Sequence, residues 1–307
     1  MRSVTVRASA KINLALAVGR RRADGYHPLA TVYQAVDLCD EVRASDAADP
    51  GIELAITYDS PPGAEPARLP LDETNIAHAA ARALLAHARL ERGVSLTIRK
   101  AIPVSGGMAG GSADAAAVLV ACDALWDLGT PRAELAKLAA ELGSDVPFCL
   151  LGGTAMGTGR GELVSPVLAR GSYHWVLALA AGGLPTPSVY AAFDRLDGAP
   201  PAGETPQVAP AVLAALRSGD PAALGLALHN DLQEATLALR PDLAGTMALG
   251  EECGALGSLV SGSGPTVMFL AADGEHALDL ALALSGANVC ADVVQAVGPV
   301  PGVRVIG

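Results

Sequence analysis

Apolar and polar residues alternate from the start of the chain. The period is two over 4–7 (Val4, Thr5, Val6, Arg7) and again over 12–18, and 30–36 and 52–57 repeat it with turn residues between, which predicts four strands. From 74 to 90 the apolar spacing becomes helical, and a further strand is expected over 94–99. The proline-rich stretch 59–70 reads as a surface excursion. Helices are predicted over 112–126 and 131–142, the second closed by Gly143, and a turn over 144–147 follows. Short alternating runs at 154–156 and 162–164, with glycines around them, read as a hairpin, and 173–180 as a buried strand. Helical patterns then cover 188–196, 210–216, 221–228, 231–239 and 241–253, with a Pro- and Gly-rich linker at 197–208. The chain ends in a strand at 258–260, a turn at 261–265, a strand at 266–270, a helix near 275–284 and a strand at 291–297. The expected class is α+β in two domains, 1–160 and 161–307.

One stretch fits neither period. Residues 103–117 read PVSGGMAGGSADAAA, with Gly106, Gly107, Gly110 and Gly111 leaving the backbone bare and Ser112 placed to cap a helix over 113–124. Exposed amides leading into a helix N-terminus make an anion site without any cationic side chain. The same glycines also suit a flexible turn before a core helix. The spacing is neither that of a Walker loop, which closes with Gly-Lys-Ser/Thr, nor the G-x-G-x-x-G of dinucleotide folds.

Composition narrows the choice. In 307 residues 51% are hydrophobic but only 3% aromatic, so the core must be built from Ala, Val and Leu. A net charge of -11 argues against a nucleic-acid partner, and screening over about 8 Å lets local amides and a few cations dominate within a cleft. Five widely spaced cysteines (Cys39, Cys122, Cys149, Cys253, Cys290) without a C-x-x-C pair suit reduced thiols in the cytoplasm. Lys11 interrupts the first apolar run and Arg20, Arg21 and Arg22 follow, so neither a secretory signal nor a membrane span is expected.

Lys11 is one of three lysines, and on an edge strand it would face solvent. Set in an apolar run, with Asn13 alternating to the same face, it is instead a candidate for lining a cleft. Asp145 in the 144–147 turn reads either as a loop cap or as a catalytic carboxylate.

Three separated segments, Lys11-Ile12-Asn13-Leu14, the 103–117 loop and Ser261-Gly262-Ser263-Gly264-Pro265, resemble in order and interval the three motifs of the GHMP kinases, over essentially the whole chain. Within that superfamily, Arg22-Ala23-Asp24-Gly25-Tyr26-His27 and Gly143-Ser144-Asp145-Val146-Pro147-Phe148 are similar to the branch that phosphorylates a cytidine-diphosphate-linked methylerythritol in the non-mevalonate route to isoprenoids. The resemblance implies a two-domain fold with the active site between the domains, ATP and Mg2+ as cofactors, and a small-molecule acceptor. No membrane partner and a monomer or weak homodimer are expected. It implies Asp145 as the base on the acceptor hydroxyl, with Lys11 beside it. The phosphates would lie on Pro103, Val104, Ser105, Gly106, Gly107, Met108, Ala109, Gly110, Gly111, Ser112 and Ala113, with further ATP contacts from Asn75 and Lys100. Asn13, Tyr26, His27 and Tyr190 would hold the acceptor, the two tyrosines against the cytosine and His27 by hydrogen bonding. Asn75 and Lys100 read equally as a helix cap and a solvated charge. The loop departs from the family pattern in ending Ser112-Ala113-Asp114 rather than Ser-Ser-Asn, so Asp114 either faces away from the phosphates or helps hold magnesium. Homoserine kinase is the main alternative within the superfamily, which segment 24–27 disfavours. A non-catalytic sensor on the same fold, or an ATP-consuming decarboxylase, is more remote.

Overall fold

The computed structural model describes residues 2–59, 69–104, 106–196 and 204–307. Ser105, most of the 59–70 excursion and the first half of the 197–208 linker lie outside them.

The first two expected strands are one, β1 (Ser3–Val18), and the third extends well past its apolar run as β2 (Leu29–Ala47). Lys11 and Asn13 in β1 and Asp40 in β2 are buried yet hydrogen-bonded, so the chain stays extended through polar residues. The register of β1 against β2 shifts at Ser9/Ala10 and between Asn13 and Ala15, which adds local twist. Next come β3 (Gly51–Tyr58), α1 (Ile76–Ala88), β4 (Gly93–Lys100), α2 (Gly110–Leu125), α3 (Arg132–Leu142) and α4 (Val146–Leu151). The expected turn at 144–147 is thus the start of a short helix, with Pro147 tolerated in the first turn because no intrahelical donor is needed there. Helix α2 is apolar almost all round and is accordingly a core helix, packed between α1 and the β1–β2 face.

The hairpin β5 (Thr154–Thr158) and β6 (Leu163–Pro166) straddles residue 160 and adds to β2 through residues 31–34. After β7 (Tyr173–Leu179) come α5 (Thr186–Arg195), α6 (Pro210–Ser218), α7 (Pro221–Ala227), β8 (His229–Asn230), α8 (Gln233–Leu239) and α9 (Asp242–Glu252). The chain closes with β9 (Gly257–Val260), β10 (Val267–Ala271), α10 (Gly274–Ala287), β11 (Asp292–Gly298) and β12 (Arg304–Val305). The larger sheet runs β12-β1-β2-β4-β3, with β8 also on β1. The smaller runs β11-β7-β10-β9. Strand β7 divides its faces by alternation. Trp175 and Leu177 join the core shared with the larger sheet, and Val176 and Ala178 pack with α9 and α10. Trp175 Nε1 donates to Gln34 Oε1 at 2.9 Å, tying the two sheets together. The fold is the two-domain α+β arrangement expected, with a cleft where α2, β1, α5 and the turn after β9 converge.

Candidate active site

The cleft has a volume of about 670 Å³. Its floor is made where three distant segments meet. Lys11 Nζ donates to Asn13 Oδ1 at 2.7 Å and to the Gly107 carbonyl at 3.1 Å, and the Lys11 amide donates to the Met108 carbonyl at 3.2 Å. The Ser261 hydroxyl reaches the same Gly107 carbonyl at 3.4 Å. Asn230, from β8, donates to the carbonyls of Val260 and Gly262 and holds that turn in place. The closeness of these segments fixes which residues can be there. A Cβ on Gly262 would stand 3.2 Å from Asn13 Oδ1 and 3.3 Å from Lys11 Nζ.

Gly107 is the tightest point. Its φ is +78°, and a Cβ would lie 2.2 Å from the Ser261 carbonyl oxygen, a backbone atom that cannot turn aside. Gly107→Ala is therefore expected to push the glycine loop off the Ser261–Pro265 turn. A displacement of about 1 Å at a reacting centre costs about 10²-fold in rate, so kcat/KM should fall by that order in a steady-state assay while the fold persists by circular dichroism. Unchanged kinetics would show that the loop position does not matter.

The helix that receives the loop starts earlier than its sequence implies. Ser112 does not cap α2 but sits inside the first turn. The helix begins at Gly110, after Ala109 in left-handed geometry (φ 58°), and no side chain caps it. The packing there is close, since a Cβ on Gly110 would meet the Ile102 side chain and the Lys100 ammonium, each at 3.2 Å. The outcome strengthens the anion-site reading, because the first-turn amides keep no side-chain acceptor and Gly110, Gly111 and Ser112 line the cleft. Pro103, Gly106, Gly107 and Ala109 line it as well. Met108 and Ala113 are buried and Val104 is half-buried, none of them on the cleft wall.

Asp145 sits at the N-cap position of α4 but makes no capping hydrogen bond. Its carboxylate turns instead toward β1 and β2, with Oδ2 3.7 Å from Lys11 Nζ and Oδ1 accepting from the Tyr33 hydroxyl at 3.0 Å. Lys11 is not the solvent-facing edge lysine of the bland reading but almost wholly enclosed. Burial first, and then the Asp145 charge, hold the Tyr33 phenol well above its ordinary pKa, so it stays a donor to that carboxylate. Asn13 is oriented in turn, its Nδ2 donating to Thr31 Oγ1 at 2.8 Å and Thr31 to the Ala15 carbonyl at 2.6 Å.

At the other end of the cleft Tyr26 is 53% exposed on the rim, with the Arg160 guanidinium 4.9 Å from its ring centre. His27 is buried beneath it, Nε2 2.8 Å from Asp194 Oδ1, its ring 4.8 Å from that of Tyr190. Burial, then Asp145, raise the Tyr190 phenol.

Two expected ATP contacts are engaged elsewhere. Asn75 caps α1, accepting the Ala77 amide at 2.9 Å and donating to the Pro70 carbonyl at 2.7 Å. Lys100 is enclosed between Asp40 and Asp114, 2.7 Å from Asp114 Oδ2. Neither reaches the cleft wall. Asp114 accordingly faces Lys100 and not the loop, which decides between its two readings. Sequence reasoning missed Tyr33, Thr31, Arg160 and Asp194. Tyr33 stands opposite Asn13 across β1 and β2, a pairing that alternation signals only once the register is known.

Models of the GHMP kinase N-terminal and C-terminal domains match residues 75–153 and 212–289. Two relatives described as 4-diphosphocytidyl-2-C-methyl-D-erythritol kinase align over nearly the whole chain. That of Thermobifida fusca (strain YX) is 55% identical over 99% of this chain and 98% of its own. That of Salinispora arenicola is 54% identical over 98% of this chain and 93% of its own. The chain belongs to the GHMP kinases. A crystal structure of 4-(cytidine 5'-diphospho)-2C-methyl-D-erythritol kinase superposes with a TM-score of 0.75 at 32% identity, covering 95% of this GHMP kinase and 98% of that chain. The two matched domains bracket the cleft, with the glycine loop in the N-terminal match and α5 between the two.

Proposed function

We propose that this GHMP kinase transfers the γ-phosphoryl group of ATP to the 2-hydroxyl of 4-diphosphocytidyl-2-C-methyl-D-erythritol, a step of the non-mevalonate route to isopentenyl diphosphate. The observation that carries the chemistry is the Asp145 carboxylate, free of capping and 3.7 Å from the Lys11 ammonium, in the same cleft as the uncapped mouth of α2. Phosphoryl transfer needs chiefly alignment and neutralised charge. The amides of Gly106, Gly107 and Ala109 and of the first turn of α2, all on the cleft wall, receive the nucleotide phosphates and hold the γ-phosphoryl in line with the acceptor. Asp145 takes the proton of the acceptor alcohol as its oxygen attacks. Lys11 stabilises charge on the reacting oxygens. Tyr33 fixes the other carboxylate oxygen, leaving one free to face the alcohol. Asn13, held by Thr31, lines the same wall toward the methylerythritol, while His27, Tyr26 and Tyr190 hold the cytosine.

Magnesium fits this wall as a cation carried on the nucleotide. Among the described residues no three His, Cys, Asp or Glu gather, and Ser112 and Asp145, which line the same cleft, would offer it oxygen donors. Bound there, the ion neutralises phosphate charge. Among the described residues no helix is long and apolar enough to cross a membrane, and all five cysteines are free; a cytoplasmic location and a monomer or weak homodimer belong to the proposal. The deciding assay is ADP release from purified protein with ATP, magnesium and the cytidylated methylerythritol, beside homoserine and mevalonate. Turnover is expected with the first alone. Preferential turnover of homoserine would overturn the assignment.

A further inference from the structure

One helix, α5, supplies three of the contacts that fix His27. Tyr190 lies against its ring at 4.8 Å, Phe193 meets it edge-on at 6.2 Å, and Asp194 Oδ1 is 2.8 Å from Nε2. The first two set the plane of the imidazole. The third sets where its proton is. A carboxylate can only accept, so the hydrogen of the neutral imidazole must sit on Nε2, and Nδ1 is left with a lone pair. Nδ1 has no hydrogen-bond partner among the described residues, and His27 lines the cleft.

We infer that Asp194 is a specificity-determining positioning residue: by holding His27 as the Nε2–H tautomer it presents Nδ1 as an acceptor, which selects a cytosine over a uracil. The pairing edge of cytosine offers its exocyclic amine as a donor where uracil offers an acceptor oxygen. A lone pair on Nδ1 is met by the amine and opposed by the oxygen. Discrimination comes from the mismatch as much as from the match, since a buried acceptor facing an acceptor is unpaired on both sides. This rests on the reading of His27 as the base contact. It adds the residue that sets its polarity, one that the sequence did not single out.

The test compares kcat/KM for the cytidine substrate and for its uridine analogue. Asp194 can only accept, whereas an Asp194→Asn amide turned so that its NH2 faces Nε2 donates there, which lets the imidazole proton move to Nδ1 and reverses what the cleft sees. The cytidine-to-uridine preference is expected to fall by about 10- to 100-fold, through a higher KM for the cytidine compound and a lower one for the uridine compound, with Asp194→Glu retaining the wild-type ratio. An unchanged ratio in Asp194→Asn overturns the inference. If His27→Ala alters the ratio in that case, the base contact stands and only the role of Asp194 fails. If His27→Ala leaves it unchanged too, the base lies elsewhere and the underlying reading fails. Long-range 1H–15N spectra of the wild-type His27 ring give a check that needs no substitution at Asp194. Protonation at Nε2 alone is expected, and a proton on Nδ1 would sink the proposal.

Discussion

Asp145→Asn is expected to lower turnover about 10²- to 10⁴-fold, the range for removing a positioned general base, which is about 3–5 kcal/mol of barrier. ATP affinity should be unchanged. The substitution is clean because of what Asp145 does not do. Its carboxylate does not cap α4, so no helix start is lost. Asparagine keeps an oxygen for the Tyr33 hydroxyl, now 3.0 Å from Oδ1, and removes only the charge and basicity facing Lys11. Single-turnover kinetics with nucleotide binding measured by calorimetry separate the two effects. Full activity would remove Asp145 from the base role, and loss of activity in step with unfolding temperature would make it structural. Lys11→Ala is a poorer probe. A surface lysine could be removed with little effect on stability, but Lys11 is enclosed and donates to Asn13 and the Gly107 carbonyl; its loss strands the Asn13 oxygen at about 1–3 kcal/mol and leaves the carbonyl only the longer Ser261 contact.

Elements whose periodicity was long and unbroken are visible in the sequence with ends off by a few residues. β3, β4, α1 and α10 are such cases, each with one face more buried than the other. The errors share a cause, namely polar residues whose partners are far away in sequence. A strand reader stops at Asp37 or Asp40, yet β2 continues because Asp40 accepts the amides of Ala101 and Ile102 from another strand's end. Ser112 is a good cap by type, but Gly110 and Gly111 before it enter the helix, Gly110 packed close to Ile102 and Lys100 and Gly111 to Ile76. The short α4 gives too few residues for a period to register.

The site divides the same way. Lys11, Asn13, Asp145 and the glycine loop were legible because each belongs to a contiguous segment with unusual composition, and the structure brings them to one wall. Tyr33 and Asp194 were not, because their roles depend on pairing across β1–β2 and on α5 packing against His27. An aromatic in an apolar strand and an aspartate late in a helix carry no local mark of function. Their polar atoms alone declare it, once placed.

Lys100→Met should destabilise the protein by about 3–5 kcal/mol, the usual cost of removing one partner from a buried ionic cluster, and urea unfolding will measure it. Lys100 is the only cation within hydrogen-bond reach of Asp40 and Asp114 among the described residues, and all three side chains are enclosed. The two carboxyls are unequal. Asp40 also accepts two amides, whereas Asp114 Oδ1 has no hydrogen-bond partner among the described residues. Burial, reinforced by Asp40 and opposed by Lys100, pushes the Asp114 carboxyl well above its ordinary range. For Lys100 burial works against the ammonium, but Asp114 and Asp40 outweigh it and its pKa is raised, so the cation persists. Enclosed with one ammonium and a second carboxylate, the Asp114 carboxyl thus holds its proton to higher pH than an exposed one. Its sign in stability follows. A carboxyl with a folded pKa above the unfolded value of about 3.9 binds the extra proton only when folded, so its contribution is whole below that value and fades as pH rises through the folded one. Asp114→Asn replaces the raised carboxyl with a neutral amide of the same shape. It should be tolerated at neutral pH, where Lys100→Met is not, and it should gain on the wild type steadily as pH is raised from about 4. A parallel pH dependence in the two proteins would place the proton somewhere other than Asp114.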